Sequence, residues 1–246
     1  MNPATTARKL VKIAETLRAE LRSLRFSAPA AYVYHPLDYA WLPHRLYLEQ
    51  WGVHQPTALL VGMNPGPFGM GQTGVPFGAV APVRDWLRCE APVDHPAAGH
   101  PKRPIEGFAC ARNEVSGERL WGWAKTRFGT PEAFFRVFFV HNYCPLLFLS
   151  DTGANVVPEK LKAAEQASFL PACDRALREL ALLLGVRYVI GVGGWAESRA
   201  RIALAGTTVG FGRILHPSPA SPAANKNWAG QVEAQLREIG LPLPMP

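Results

Sequence analysis

Residues 58–67, Ala58-Leu-Leu-Val-Gly-Met-Asn-Pro-Gly-Pro67, run from four apolar side chains straight into glycine, proline and one amide. An apolar run this short, ended by Gly and Pro, reads as a strand buried on both faces followed by a stiff, tight loop. The pattern returns three times. Arg136 to Asn142 ends in Tyr-Cys-Pro145, Arg187 to Ile190 ends in Gly191-Val-Gly193-Gly194, and Val209 to Leu215 ends in His216-Pro-Ser-Pro219. Helical spacing fills the intervals. Leu10, Val11, Ile13, Ala14, Leu17 and Leu21 make residues 4–24 an amphipathic helix, and further helices are expected at Val83–Cys89, Ser116–Phe128, Glu159–Leu184, Trp195–Ala205 and Pro222–Ile239. Ser116 is the expected N-cap of the Ser116–Phe128 helix, and Gly185 the stop of the long one. Strands alternating with helices predict a three-layer α/β/α fold around a central, mainly parallel four-stranded sheet. Ligands bind such sheets outside the carboxyl ends of the strands, where all four unusual loops fall. Asn64, Asn142 and His216 are therefore expected at one site.

The chain has 246 residues, 48% of them hydrophobic and 18% charged, with 22 Gly and 23 Pro. That is enough apolar material for one substantial core, so residues 1–246 are expected to form a single domain with a frayed tail at 241–246. No 18-residue uncharged apolar run occurs, because even Ala133 to Leu149 is broken by Arg136, His141 and Asn142. No membrane span is expected. The N-terminal 20 residues alternate charged with apolar side chains and lack a continuous apolar signal region, which predicts a cytoplasmic protein, nucleoid-associated in a bacterium or nuclear in a eukaryote. Nothing resembles a heptad seam, so a monomer is expected. A net charge of +7 suits a polyanionic partner. Cys89, Cys110, Cys144 and Cys173 include no C-x-x-C pair and read as small buried hydrophobes.

Gly191-Val-Gly-Gly-Trp-Ala196 matches the glycine fingerprint of a dinucleotide site, and with it an oxidoreductase. The fingerprint also needs an acidic residue about 20 positions later, and Thr207 to Pro222 contains none. A tight strand-to-helix turn, or a helix N-terminus receiving a phosphate, are the other readings of that loop. His95 and His100 have no carboxylate or thiol partners at metal-binding spacing, so they read as residues of a solvated loop and no metal is expected. Residues 62–104 hold 8 Pro and 7 Gly, the composition of a structured loop layer rather than a linker.

What remains is polar, uncharged and braced by proline: Asn64, Asn142 and His216, with Phe68 and Phe77 as stacking surfaces. The stretches carrying them, residues 62–78, His141-Asn-Tyr-Cys-Pro-Leu-Leu-Phe148 and His216-Pro-Ser-Pro219, closely resemble the single-strand-selective monofunctional uracil-DNA glycosylase family. The likeness extends through Tyr34 to His44, His100 to Pro104, Glu114-Val-Ser-Gly117 and Ala223 to Trp228, spanning roughly residues 26–240.

The resemblance implies an enzyme that removes uracil, and uracils with oxidised carbon 5 groups such as 5-hydroxymethyluracil, from single- and double-stranded DNA, leaving an abasic site for base excision repair. It implies that His216 donates to uracil O2, that Asn64 positions water, and that Asn142 reads N3–H and O4. Phe77, and with it Phe68, would stack on the base, while Gly62, Met63 and Gly66 would wall the pocket and make room at carbon 5. Pro217, Ser218, Pro219, Ala220, Ser221 and Lys226 would form a wedge entering the duplex. Relatives often carry a large basic residue in place of Ala220 and an alanine in place of Gly71. No lysine replaces Asn64, so base removal without strand cleavage is expected, with no metal or organic cofactor. A glycosylase of deaminated purines (xanthine, hypoxanthine) and a catalytically silent damage-binding module are the competing readings.

Overall fold

The computed structural model describes residues 2–241 and 243, so most of the tail expected to fray lies outside the described residues, although Leu241 is buried. In chain order the elements are α1 (Pro3–Arg22), β1 (Tyr32–Tyr34), α2 (Pro36–Tyr39), α3 (Trp41–Trp51), β2 (Ala58–Gly62), α4 (Met70–Thr73), α5 (Val115–Phe128) and α6 (Pro131–Phe135). There follow β3 (Phe138–Asn142), β4 (Leu147–Leu149), β5 (Asn155–Val156), α7 (Ala163–Leu184), β6 (Tyr188–Val192), α8 (Gly194–Ala203), β7 (Gly210–Ile214) and α9 (Trp228–Glu238).

The four apolar runs form one parallel sheet in the order β3-β2-β6-β7. Every residue of β2 is buried, as a strand covered on both faces requires. Gly62 pairs with Asn142, Val61 with Gly191 and Val192 with Ile214, so the carboxyl ends lie nearly level and their loops open on one edge. The chain leaves β2 toward β3 on one side and resumes on the other side at β6, which puts a topological switch point beside Gly62. α8 packs on β6 and β7, α9 on β7 and α6 on β3, while α1 lies on α3 and α7 through Leu10, Ala14, Leu17 and Leu21. Among the described residues no helix is long and apolar enough to cross a membrane.

Sequence spacing misplaces several boundaries. Ser116 is not the cap of α5: it sits inside the first turn, and Glu114 caps the helix by accepting from Gly117 N–H at 2.5 Å. The expected helix at 222–239 is two pieces, a 3-10 turn at Pro222–Asn225 and then α9, separated where Asn227 takes φ +45° and accepts from Gly230 N–H. Likewise the long helix starts only at Ala163, behind a 3-10 turn at Pro158–Lys160, and the one expected at 83–89 is a single π-type turn, Pro82–Trp86. A second sheet, antiparallel in the order β1-β4-β5, has strands of two or three residues, too short to leave a readable alternation.

The glycine- and proline-rich layer after β2 is held by buried polar side chains. Gln72 donates to the carbonyls of Pro67 and Pro104 and accepts from the N–H groups of Glu106 and Gly107. Tyr39 donates its hydroxyl to Gly71 O at 2.6 Å, His44 Nδ1 meets Gly74 O at 2.8 Å, and Tyr34 bridges Arg103 O and His100 N–H. The stretch from Tyr34 to His44 is thus a set of staples for the layer. His100 is no solvated loop residue: it is buried against Asp151 O, and only His95 is exposed. All four cysteines are free and buried.

Burial holds His44 at about 4 and His141 at about 3, below the 6.5 of an unhindered imidazole. The unfolded chain therefore takes up protons first as pH falls, and stability that is complete above 6.5 is lost below it. Each histidine costs about 1.4 kcal/mol per pH unit in that window. The thermal unfolding midpoint should be level from pH 8 to 7 and fall steadily from 6.5 to 5, before carboxylates titrate; a level midpoint down to pH 5 would contradict the neutral pair.

Candidate active site

Beyond the carboxyl ends of β2 and β3 lies a cleft of about 510 Å³, lined among others by Met63, Asn64, Gly66, Phe68, Phe77, Asn142, His216, Ser218 and Pro219. A larger groove of about 750 Å³ runs beside α1, but the guanidinium groups of Arg18 and Arg22 there are both committed to Asp38. The amides and imidazole expected to act together meet only in the smaller cleft.

Asn142 is the last residue of β3 and is 4% exposed. Its Nδ2 donates to Met70 Sδ at 3.2 Å, a weak acceptor that a ligand oxygen can replace. A Cβ at Gly62 would lie 2.3 Å from Asn142 Oδ1 and 2.7 Å from Phe77 Cε2, so only glycine admits both groups. Gly62 therefore backs the cleft without lining it. The β2–β3 ladder continues past Asn142, with Tyr143 N–H donating to Gly62 O and Cys144 N–H to Met63 O, which fixes the backbone leading to Asn64.

Asn64 donates Nδ2 toward Pro65 O and Leu146 O over 3.5 and 3.4 Å. These two bonds orient the amide, and among the described residues Oδ1 has no donor of its own. An oriented, unengaged acceptor can hold a water. Phe77 carries φ +52°, strain of about 1–3 kcal/mol for a residue with a side chain. It persists because Trp121 Nε1–H and Ala79 N–H both donate to Phe77 O. Its ring centroid lies 6.0 Å from that of His216.

His216 Nδ1 accepts the backbone N–H of Ser218 at 3.1 Å. With Nδ1 occupied as an acceptor, the proton of a neutral ring sits on Nε2, where it can be donated outward. Burial pushes this imidazole down to about 4, so it is neutral at pH 7. The glycine loop at 191–194 acts as a turn: Gly193 has φ +94° and passes His216 Cβ, and a Cβ at Gly191 would lie 2.3 Å from Glu197 N, where α8 packs on β6.

Phe68 lines the cleft, and the guanidinium groups of Arg112 and Arg103 lie 4.7 and 5.3 Å from its ring centroid. Of the residues expected to form a wedge, Ser218 and Pro219 line the cleft, while Pro217, Ala220, Ser221 and Lys226 are not among its lining. Ala220 and Lys226 are exposed. Arg119, on α5, braces this loop by donating to Pro217 O at 3.0 Å and Asn225 Oδ1 at 2.8 Å. Spacing gave no sign of that tether. Met70 and Glu114 also face the cleft unforeseen, although both lie in stretches that carry the family resemblance. Asn155, in β5, and Val157, just after it, also line the cleft, and β5 had no sequence signature.

Among the described residues there is no cluster of three His, Cys, Asp or Glu side chains able to hold a metal ion. No lysine is among the residues lining the cleft. A Cβ at Gly71 would come 2.8 Å from Gly66 O, so glycine there lets the Gly66 wall approach closely.

No protein-family model matches the chain. It is 50% identical over 247 residues to the mouse (Mus musculus) protein named single-strand selective monofunctional uracil DNA glycosylase, covering 98% of this chain and 88% of that one. It is 52% identical over 227 residues to the protein of that name from Rattus norvegicus, covering 92% and 82%. The Bos taurus protein of the same name is 49% identical, covering 98% and 91%. The crystal structure of wild-type Pedobacter heparinus SMUG2 superposes with a TM-score of 0.62 at 18% identity, covering 93% of this chain and 97% of that one, a likeness of fold.

The state of His216 is directly measurable. Nitrogen-15 NMR should show an Nε2–H tautomer whose shifts stay constant from pH 8 to 5.5, and titration near 6.5 would show that burial does not hold the ring neutral.

Proposed function

The chain belongs to the single-strand selective monofunctional uracil-DNA glycosylases, hydrolases that release uracil from DNA in base excision repair, and from that premise we propose how its cleft works. Asn142 and His216 read and activate a flipped uracil, and Asn64 aims the water that replaces it. The observation that carries this reading is the convergence of two amides and a neutral imidazole on one strained phenylalanine.

A base inside a duplex is out of reach, so it is extruded at a cost of a few kcal/mol, less in single strands and at mismatches. Phe77 stacks on the extruded ring, and Asn142 offers Oδ1 to N3–H and Nδ2 to O4. Cytosine carries an amino donor at carbon 4 and no proton at N3, so both contacts fail and buried polar groups are left unpaired. Met63 and Gly66 form the wall toward carbon 5, with Gly62 behind, and this extends the substrate range to 5-hydroxymethyluracil.

Cleavage sends the N1–C1′ electron pair to the departing base while the sugar becomes cationic, as in other oxocarbenium-like reactions. The negative charge spreads to O2, which receives the Nε2–H of His216. Water held by Asn64 Oδ1 bonds to C1′ and releases its proton to solvent, leaving an abasic site. An amide neither takes that proton nor offsets the sugar's charge, so the role of Asn64 is orientation.

Pro217 to Lys226 act as the wedge, stiffened by proline and tethered by Arg119. Arg112 and Lys226, both exposed, are assigned to phosphate. Ala220 puts a small side chain at the tip, so activity on duplex DNA is weaker relative to single strands than where a large basic residue stands there. The same reading treats the chain as one monomeric glycosylase domain working wherever DNA is, nucleoid or nucleus, supported by the core that joins α1 to α9.

Single-turnover rates test these assignments. His216→Ala should lower uracil excision about 10²–10³-fold, and Asn64→Ala should do so without weakening binding of an uncleavable uracil analogue. Unaltered excision in either variant would remove that residue from the chemistry. Equal rates on single- and double-stranded uracil substrates would contradict the account of Ala220.

A further inference from the structure

Glu114 is the only carboxylate among the described residues lining the cleft, and the chemistry above leaves it without a task. It caps α5 through Oε2, which accepts Gly117 N–H at 2.5 Å. A helix cap does not need a glutamate whose stem crosses a cleft, since shorter side chains are the favoured caps. Here the length serves reach. The stem lies against Gly69, where a Cβ would come 2.8 Å from Glu114 Cγ, so only a glycine at 69 lets it pass. At Gly66 a Cβ would meet nothing nearer than Glu114 Oε1, at 3.7 Å. Two glycines thus open a window through which one carboxyl oxygen faces the cleft.

The order of groups around the wall says which edge of the base this window meets. Asn142 Nδ2 is bonded to Met70 Sδ, Gly69 adjoins Met70, and Glu114 lies behind Gly69 on the way to Gly66. A ring whose O4 takes the place of the Met70 sulfur on Nδ2 turns its next atom, carbon 5, toward Gly69, Gly66 and Oε1. We propose that Glu114 is a specificity-determining residue that pairs with the hydroxyl of a hydroxymethyl group at carbon 5 and disfavours a methyl group there. This rests on the reading of the cleft as a uracil pocket that admits carbon 5 substituents.

The pairing needs no fixed protonation state. Burial pushes the Glu114 carboxyl above the usual carboxylate range. Ionised, Oε1 accepts the hydroxyl hydrogen; protonated, it donates to the hydroxyl oxygen. A methyl group offers neither, and leaves a buried oxygen facing hydrocarbon. Uracil itself leaves the space beside Gly66 for a water, so Glu114 ranks substituted bases without being needed to break the glycosidic bond.

Glu114→Asp keeps a favoured helix cap while withdrawing the oxygen from Gly66 by one methylene. Glu114→Gln keeps the length and presents an amide, and Gly66→Ala fills the window itself at ordinary van der Waals distance. The readout is the ratio of single-turnover rates on 5-hydroxymethyluracil and uracil in the same single strand, which a purely structural change lowers for both substrates and leaves constant. The ratio should fall at least tenfold in Glu114→Asp and in Gly66→Ala, and stay within about threefold of wild type in Glu114→Gln. A constant ratio in Glu114→Asp with a fall in Gly66→Ala would overturn the role of Glu114 while leaving carbon 5 at the glycine wall. Should the aspartate variant not fold, a tenfold loss of ratio in Glu114→Gln overturns the pairing and a retained ratio supports it. Wild-type enzyme that cleaves uracil but not 5-hydroxymethyluracil would overturn the underlying reading of the pocket, and this proposal with it.

Discussion

Everything at the site hangs on the close approach at Gly62, where the end of β2 meets the Asn142 amide and the Phe77 ring with no room for a side chain. Pairing of Gly62 with Asn142 across two parallel strands sets the Asn142 amide at the strand end. The same glycine lets the strained phenylalanine lie beside it, and the two ladder bonds beyond it carry the backbone to Asn64. Side chains mounted on strands hold their geometry more closely than side chains mounted on loops.

The cleft works with neutral groups because burial forbids most charges. His216 is held neutral by burial, and the same desolvation strengthens any hydrogen bond its Nε2–H donates, so dryness and donor strength come from one cause. Asn64 and Asn142 line the cleft with polar groups that carry no charge. Glu114 is the exception, and its position behind two glycines, with its stem at the helix cap, explains how a carboxyl is accommodated there. The loop after His216 is tied from outside the cleft by Arg119, which couples the start of α5 to the far end of the chain.

Most of this architecture was readable because buried parallel strands carry an unmistakable apolar run, and each run here ends in glycine or proline. The four strands, their shared edge and the trio Asn64, Asn142 and His216 follow from that alone. Boundaries were less legible where side-chain length decides the outcome: Glu114 outreaches Ser116 for the cap, and Asn227 breaks a run that spacing reads as continuous. The guanidinium groups of Arg103 and Arg112 that meet the Phe68 ring arrive from elsewhere in the chain, and nothing beside Phe68 announces them. Long-range tethers such as Arg119 to Asn225, and strands as short as β5, leave no local pattern to read.

The central claim is that these loops make a uracil site that removes the base and leaves the strand intact. The most direct measurement is scission of end-labelled oligonucleotides carrying uracil, cytosine or xanthine at one position, with and without alkali after incubation. The account predicts cleavage at uracil only, and only after alkali. Strand breaks without alkali would contradict the hydrolytic chemistry, and cleavage confined to xanthine would contradict the assignment of Asn142 to the uracil edge.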